Sequence, residues 1–111
     1  MRTHLKPLEL HTLLALAQAP THGYGLVRQI ASDSEGTLKP LPGNLYVVLT
    51  RLENAGLVKQ LETADDGSRR RTYALTPSGR ERLTAEARRM TALANAVAVR
   101  FGQASPEGDN G

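Results

Sequence analysis

LPGNLYVVLTRLENAGL, residues 41–57, carries the pattern on which the fold turns. Pro42-Gly43 marks a turn and a helix start. After it, Leu45, Val48, Leu49 and Leu52 recur at i, i+3, i+4 and i+7, which places one apolar stripe on a helix of about three turns. Asn54-Ala55-Gly56 ends that helix, with Gly56 placed to take the left-handed conformation. The opposite face carries Asn44, Val47, Thr50, Arg51 and Asn54, with Tyr46 at the flank. A short helix packed on one side, with hydrogen-bonding, methyl-bearing and cationic groups on the other, can be laid into a DNA major groove. Standing alone, the stretch reads as an ordinary amphipathic surface helix. Its surroundings change that.

Residues 57–63 and 71–75 have strand-like spacing, and Asp65-Asp66-Gly67-Ser68 between them is a turn sequence. Arg69, Arg70 and Arg71 follow the turn directly. A helix followed at once by a hairpin with a polar tip and three arginines is the outline of a winged helix. Guanidinium keeps its charge and can engage phosphate oxygens with two donors, which suits these arginines to a nucleic-acid backbone. A charge run is also commonly just a solvated face.

The 111 residues predict one domain with one modest core. Hydrophobic residues at 40% and charged residues at 23% are ordinary for a globular protein. A net charge of +3 and a pI of about 9.7 permit a polyanionic partner without demanding one. With no cysteine, disulfide and thiolate chemistry are excluded. No run reaches membrane-span length, and the N-terminal residues lack the apolar core of a signal peptide. A cytoplasmic protein without membrane contact is expected.

Residues 1–20 hold a first helix, with Leu10, Leu13, Leu14 and Ala17 as its stripe. Leu5, Leu8 and Leu16 extend the apolar surface past one face, so this helix is expected to be covered by more than its own domain. Pro20 stops it, and Thr21 is read as the cap of a second helix from His22 to about Ser32. The inner face of that helix is read as Tyr24, Leu26, Val27, Ile30 and Ala31. Residues 34–40 form a loop in which Thr37-Leu38 offers a short strand to pair with the wing. Two helices before a third, then a hairpin, is helix-turn-helix order with a wing added.

Thr76-Pro77 is a cap followed by proline at the first helical position. From there Leu83, Ala87, Met90, Ala94, Val97 and Phe101 step by four, three, four, three and four, an a/d seam over nearly three heptads. Such a helix is too long for a winged-helix core of this size to cover. The seam is read as intermolecular, most simply a two-fold dimer, against the alternative that it folds back on its own domain. The expected class is mainly α with a small β-hairpin wing. The expected layout is a winged helix-turn-helix over residues 1–76, a dimerisation helix over 77–101 and a disordered tail over 102–111.

Three segments together carry a family resemblance: LLALAQAPTHGYGLVRQIA, LPGNLYVVLTRLENAGLV and GSRRRTYALTPSGRERL. The chain resembles the PadR family of bacterial transcriptional regulators, in its smaller subfamily with a single C-terminal helix. The matching residues include His22-Gly23-Tyr24, Leu45-Tyr46, Leu49, Arg51-Leu52-Glu53, Gly56-Leu57-Val58, Arg70-Arg71, Tyr73, Leu75-Thr76 and Gly79. Gly25 stands where the family usually has Glu, and Val47 where it often has proline or a polar residue. The resemblance implies a homodimeric winged-helix repressor of double-stranded DNA, released by a small-molecule effector and binding a palindromic operator. It also implies that Asn44, Tyr46, Val47, Thr50 and Arg51 face the DNA and that Arg69, Arg70 and Arg71 follow its backbone. Tyr46 either reaches a phosphate through its hydroxyl or is a half-buried core aromatic. Arg51 either contacts guanine or phosphate, or pairs with a neighbouring acid such as Glu53 or Glu62. With no Trp and Phe101 as the sole Phe, a large aromatic sandwich for an effector is not expected; a smaller apolar ligand stays open.

Enzymatic chemistry is not supported by the motifs. His4, His11 and His22 precede the central helix, and none has metal-ligand spacing to a carboxylate or a second His. Neither a glycine-rich phosphate loop nor a nucleophile elbow is present, and no cofactor is expected. The competing reading is a winged-helix protein-interaction adaptor without specific DNA binding.

Overall fold

A computed structural model describes residues 4–61 and 71–102. The chain runs α1 (Pro7–Gln18), β1 (Thr21–His22), α2 (Gly23–Asp33), α3 (Pro42–Asn54), β2 (Val58–Leu61), β3 (Thr72–Leu75) and α4 (Pro77–Arg100). It is mainly helical, with one small antiparallel sheet ordered β1-β3-β2. The stripe of α3 forms as its spacing predicts: Leu45, Val48, Leu49 and Leu52 are all buried. They meet Leu13 and Leu16 of α1, Leu26 and Ile30 of α2, and Val58 and Tyr73 of the sheet in one core. Burying each such side chain contributes about 1.5–3 kcal/mol before the entropy of ordering is subtracted.

Gly56 ends α3 at φ +80°, the left-handed region where a Cβ is penalised. Its N–H donates to the Glu53 carbonyl, and the Leu57 N–H donates to the Leu52 carbonyl, each at 2.9 Å. The chain then enters β2, paired with β3 from Val58 opposite Leu75 to Leu61 opposite Thr72. Arg69, Arg70 and the turn sequence before them lie outside the described residues.

The third strand is not where the sequence pattern suggests. Thr21 and His22 pair with Tyr73 and Thr72, whereas Thr37 and Leu38 are held in a turn. Their amides are already used: Thr37 N–H donates to the Ser34 carbonyl at 3.1 Å, and Leu38 N–H to the Ser34 hydroxyl at 3.0 Å. With Thr21 in the sheet, the cap of α2 is His22, whose Nδ1 accepts from the Gly25 N–H at 3.1 Å. Tyr24, expected on the inner face, is 66% exposed; Gly23, Leu26 and Ile30 are buried, and Val27 packs partly against the core as expected. In α1 the core takes Leu13, Ala15 and Leu16, while Leu14 turns outward, so the buried stripe is rotated from the predicted one.

Thr76 joins α3 to α4. Its hydroxyl donates to the Gly56 carbonyl at 2.7 Å and accepts from the Gly79 N–H at 2.9 Å. A Cβ at Gly79 would collide with the Leu57 backbone carbonyl, which cannot move without displacing the start of β2. Gly79→Ala is expected to destabilise the fold by about 1–3 kcal/mol, as overpacking against a rigid neighbour does. The urea midpoint measures it, and an unchanged midpoint would show that α4 slides freely.

Further along α4, Glu86 is buried and links the helix to the chain entering α1. It accepts from Arg82 Nε at 3.1 Å, from Arg89 Nη2 at 2.8 Å and from the Leu5 N–H at 3.3 Å. Burial opposes its ionisation, but the hydrogen bonds from Arg82 and Arg89, the charge of Arg89 and the Leu5 amide outweigh it. The carboxyl is held below the ordinary carboxylate value of 4.5. Because the folded value is the lower one, this stabilisation is full above pH 4.5 and is lost as pH falls through the folded value. Glu86→Gln should therefore lower the unfolding midpoint at neutral pH and flatten its decline below 4.5; a parallel decline in both proteins would assign that loss to other groups.

Candidate nucleic-acid interface

Successive residues of an α-helix are turned by about 100°, so with Leu45, Val48, Leu49 and Leu52 facing inward, Val47, Thr50 and Asn54 point away from the core. All three are exposed, and Val47 is 57% accessible. Asn44 and Arg51 lie on one shoulder of this face and Tyr46 on the other. The surface is a continuous strip of amide, hydroxyl, methyl and guanidinium groups on a rigid element.

The two shoulders are tethered differently. Tyr46 is 38% exposed and its ring lies over Gly23, where a Cβ would sit 2.5 Å from the Tyr46 hydroxyl oxygen. Packing and exposure are thus both properties of this tyrosine, and Gly23 is the residue that makes room for it. On the other shoulder, Arg51 Nη1 stands 3.6 Å from Glu9 Oε2 of α1. Among the described residues, the acid facing Arg51 is therefore Glu9 and not Glu53. Glu53 Oε1 instead accepts from Gln60 Nε2 at 3.4 Å, and Glu62 lies outside the described residues.

Of the three wing arginines, Arg71 is described; it is exposed and directly precedes β3. Lys59 and Gln60 of β2 are exposed as well. Beside the Tyr46 shoulder, α2 presents Tyr24 and Arg28, which with His22 and Gln29 line a shallow depression of about 440 Å³. Sequence pattern alone assigns Tyr24 and Arg28 no surface role. Their i, i+4 spacing on α2 is the available signal, but it cannot say which face turns out.

Residues 12–85 match the Transcriptional regulator PadR-like family, which is more than half of the chain. The chain belongs to the PadR-like family. A PadR-like chain is a transcriptional regulator, not an enzyme. Among proteins it resembles is the transcriptional regulator Rv3488 of Mycobacterium tuberculosis, 36% identical over 90 residues that cover 81% of each chain. An uncharacterized 37.1 kDa protein in transposon TN4556 of Streptomyces fradiae is 41% identical over 97 residues, 87% of this chain. The chain spans about a quarter of that protein's length, 26%.

Solved structures share the PadR-like winged-helix fold. A PadR family transcription regulator from Clostridium difficile R20291 matches with a TM-score of 0.71 at 21% identity, over 86% of this chain and 98% of that one. PadR of Bacillus subtilis in complex with operator DNA matches with a TM-score of 0.62 at 20% identity, over 70% of this chain and 45% of that one. Several residues of the PadR-like pattern prove to be packing devices here. Gly23 admits Tyr46, Gly79 admits the Leu57 carbonyl, and Tyr73 is buried in the core.

Away from α3, α4 leaves much of its length uncovered. Of its 24 residues only Gly79 and Glu86 are buried. Leu83 packs partly against the core, whereas Ala87, Met90, Ala94, Val97 and Phe101 are exposed. A groove of about 890 Å³ runs between α1 and α4, lined by Leu10, His11 and Leu14 on one side and Leu83, Ala87 and Met90 on the other. His11 Nδ1 is buried there without a hydrogen-bond partner among the described residues. No helix among the described residues is long and apolar enough to cross a membrane.

Proposed function

We propose that this chain is a sequence-specific DNA-binding repressor that acts as a homodimer on a palindromic operator and is released by a small apolar effector. The outer face of α3 carries this reading. Asn44, Val47, Thr50 and Arg51 stand exposed on a helix whose other side is locked into the core, and the strand pair that follows it carries the exposed cations Lys59 and, directly before β3, Arg71. A helix so held can enter the major groove while wing cations follow phosphates. The operator DNA held by the Bacillus subtilis fold neighbour is in keeping with that arrangement.

Dimerisation is supported by the seam of α4, where Ala87, Met90, Ala94 and Val97 are exposed on one side of a helix about 36 Å long, with Phe101 at its C-terminal cap and Leu83 partly packed against the core. A contiguous apolar face of this kind is costly in water and marks an interaction surface. A second copy would cover it and the groove beside α1, and a donor from that copy or from an effector would satisfy His11 Nδ1. Two α3 helices related by a two-fold axis require a palindromic site. The repressor role and the effector rest on the family resemblance.

The test is a mobility-shift titration with DNA from upstream of the protein's own gene and with scrambled DNA, over a salt series. Tighter binding to the first at every salt concentration is expected. Equal and weak binding to both would leave the adaptor reading in its place.

A further inference from the structure

The Glu9 carboxylate touches both α1 and α3. Oε1 accepts from the Lys6 N–H at 2.7 Å, closing the first turn of α1. Oε2 faces Arg51 Nη1 across the boundary with α3, at 3.6 Å. Glu9 is 1% exposed, whereas the Arg51 side chain is 49% exposed. One end of the pair is fixed in the protein and the other lies at the proposed DNA surface. The backbone beside Lys6 is held as well, since the Leu5 N–H donates to Glu86 of α4. A long arginine free to sample rotamers pays for ordering when it meets a base; one already held against a buried carboxylate has lost much of that freedom before binding.

We propose that Glu9 is a positioning residue for DNA recognition: it holds the Arg51 guanidinium on the α1 shoulder of α3, from which Arg51 reads the operator. This rests on the reading that the outer face of α3 meets DNA. Glu9 itself touches no base; it acts through Arg51. Its charge is unfavourable to DNA at long range, so its value lies in geometry rather than in attraction.

Glu9→Gln in the full chain keeps the side-chain size and an oxygen for the Lys6 N–H while removing the charge. The measurement is the affinity ratio between operator and scrambled DNA, for wild type, Glu9→Gln, Arg51→Ala and the double variant. The ratio should fall about tenfold in Glu9→Gln, within the range that loss of one well-placed base contact covers. Affinity for scrambled DNA should stay equal or rise. In the Arg51→Ala background, Glu9→Gln should leave the ratio unchanged, because a positioning residue has nothing left to position. A merely structural role would lower binding to both DNAs together and add to Arg51→Ala, which would overturn the proposal. Glu9→Asp, which keeps the charge but is one methylene too short to reach the Lys6 N–H and Arg51 together, should give a smaller loss of ratio if Gln is not tolerated; an unchanged ratio there also overturns it. If Arg51→Ala leaves the ratio intact while Thr50→Ala lowers it, the DNA reading stands and Glu9 has no part in it. If wild type does not discriminate at all, both readings fall.

Discussion

Met90→Asp or Val97→Asp is expected to convert the protein to a folded monomer. Both side chains are about half exposed in the isolated chain, so an aspartate at either position stays hydrated and costs the protomer little. In a two-fold seam the same aspartate is buried among Ala87 and Ala94 of α4 and Phe101 at its cap, and symmetry places it there twice. An unpaired charge in an apolar interface costs several kcal/mol, enough to dissociate a dimer at micromolar concentration. Losing the second DNA-binding unit also removes the effective-concentration advantage of a paired site. Operator affinity should therefore fall by about 10²–10⁴-fold, with scrambled-DNA affinity falling far less. Sedimentation equilibrium reads the mass, and unfolding by urea confirms that the protomer is intact. An unchanged dimer would show that the α4 seam is not the interface.

Recognition should divide between helix and wing. On the proposed reading, wing arginines would meet a backbone that is the same in every sequence and would act mainly through counterion release. Arg70→Ala or Arg71→Ala should weaken operator and scrambled DNA alike. Each should also lower the slope of log affinity against log salt by about one unit for every phosphate no longer neutralised. Arg51 and Thr50 stand on the helix that can reach base edges. Arg51→Ala should cost about 1–3 kcal/mol on the operator and little on scrambled DNA. Because Arg51 also faces the buried Glu9, its removal takes one cation from that carboxylate, and stability is to be measured in parallel. A salt series on both DNAs separates the two roles. If Arg51→Ala shifts both DNAs equally and a wing variant alone loses discrimination, reader and clamp are reversed.

Local spacing along the chain encodes much of this fold. The stripe of Leu45, Val48, Leu49 and Leu52 is buried as its period requires, because only one helix face can be turned inward at a time. Gly56 takes positive φ and Thr76 caps α4, since both depend on conformations available to those residue types within a few bonds. The hairpin strands follow from alternation. Several residues of the candidate site, Asn44, Val47, Thr50 and Arg51, are legible in the sequence as the face opposite that stripe.

Packing in three dimensions settles what depends on partners far along the chain. A two-residue strand has no period to detect, so whether Thr21-His22 or Thr37-Leu38 joins β3 turns on which amides the Ser34 turn already uses. That choice moves the α2 cap from Thr21 to His22. Tyr24 faces solvent and Tyr46 lies over Gly23, since room beside a neighbouring helix, not hydrophobicity, selects which aromatic packs. The partner of Arg51 cannot be found by searching nearby acids such as Glu53. Glu9 belongs to another helix, and only folding brings this buried carboxylate to the Lys6 amide and the Arg51 guanidinium.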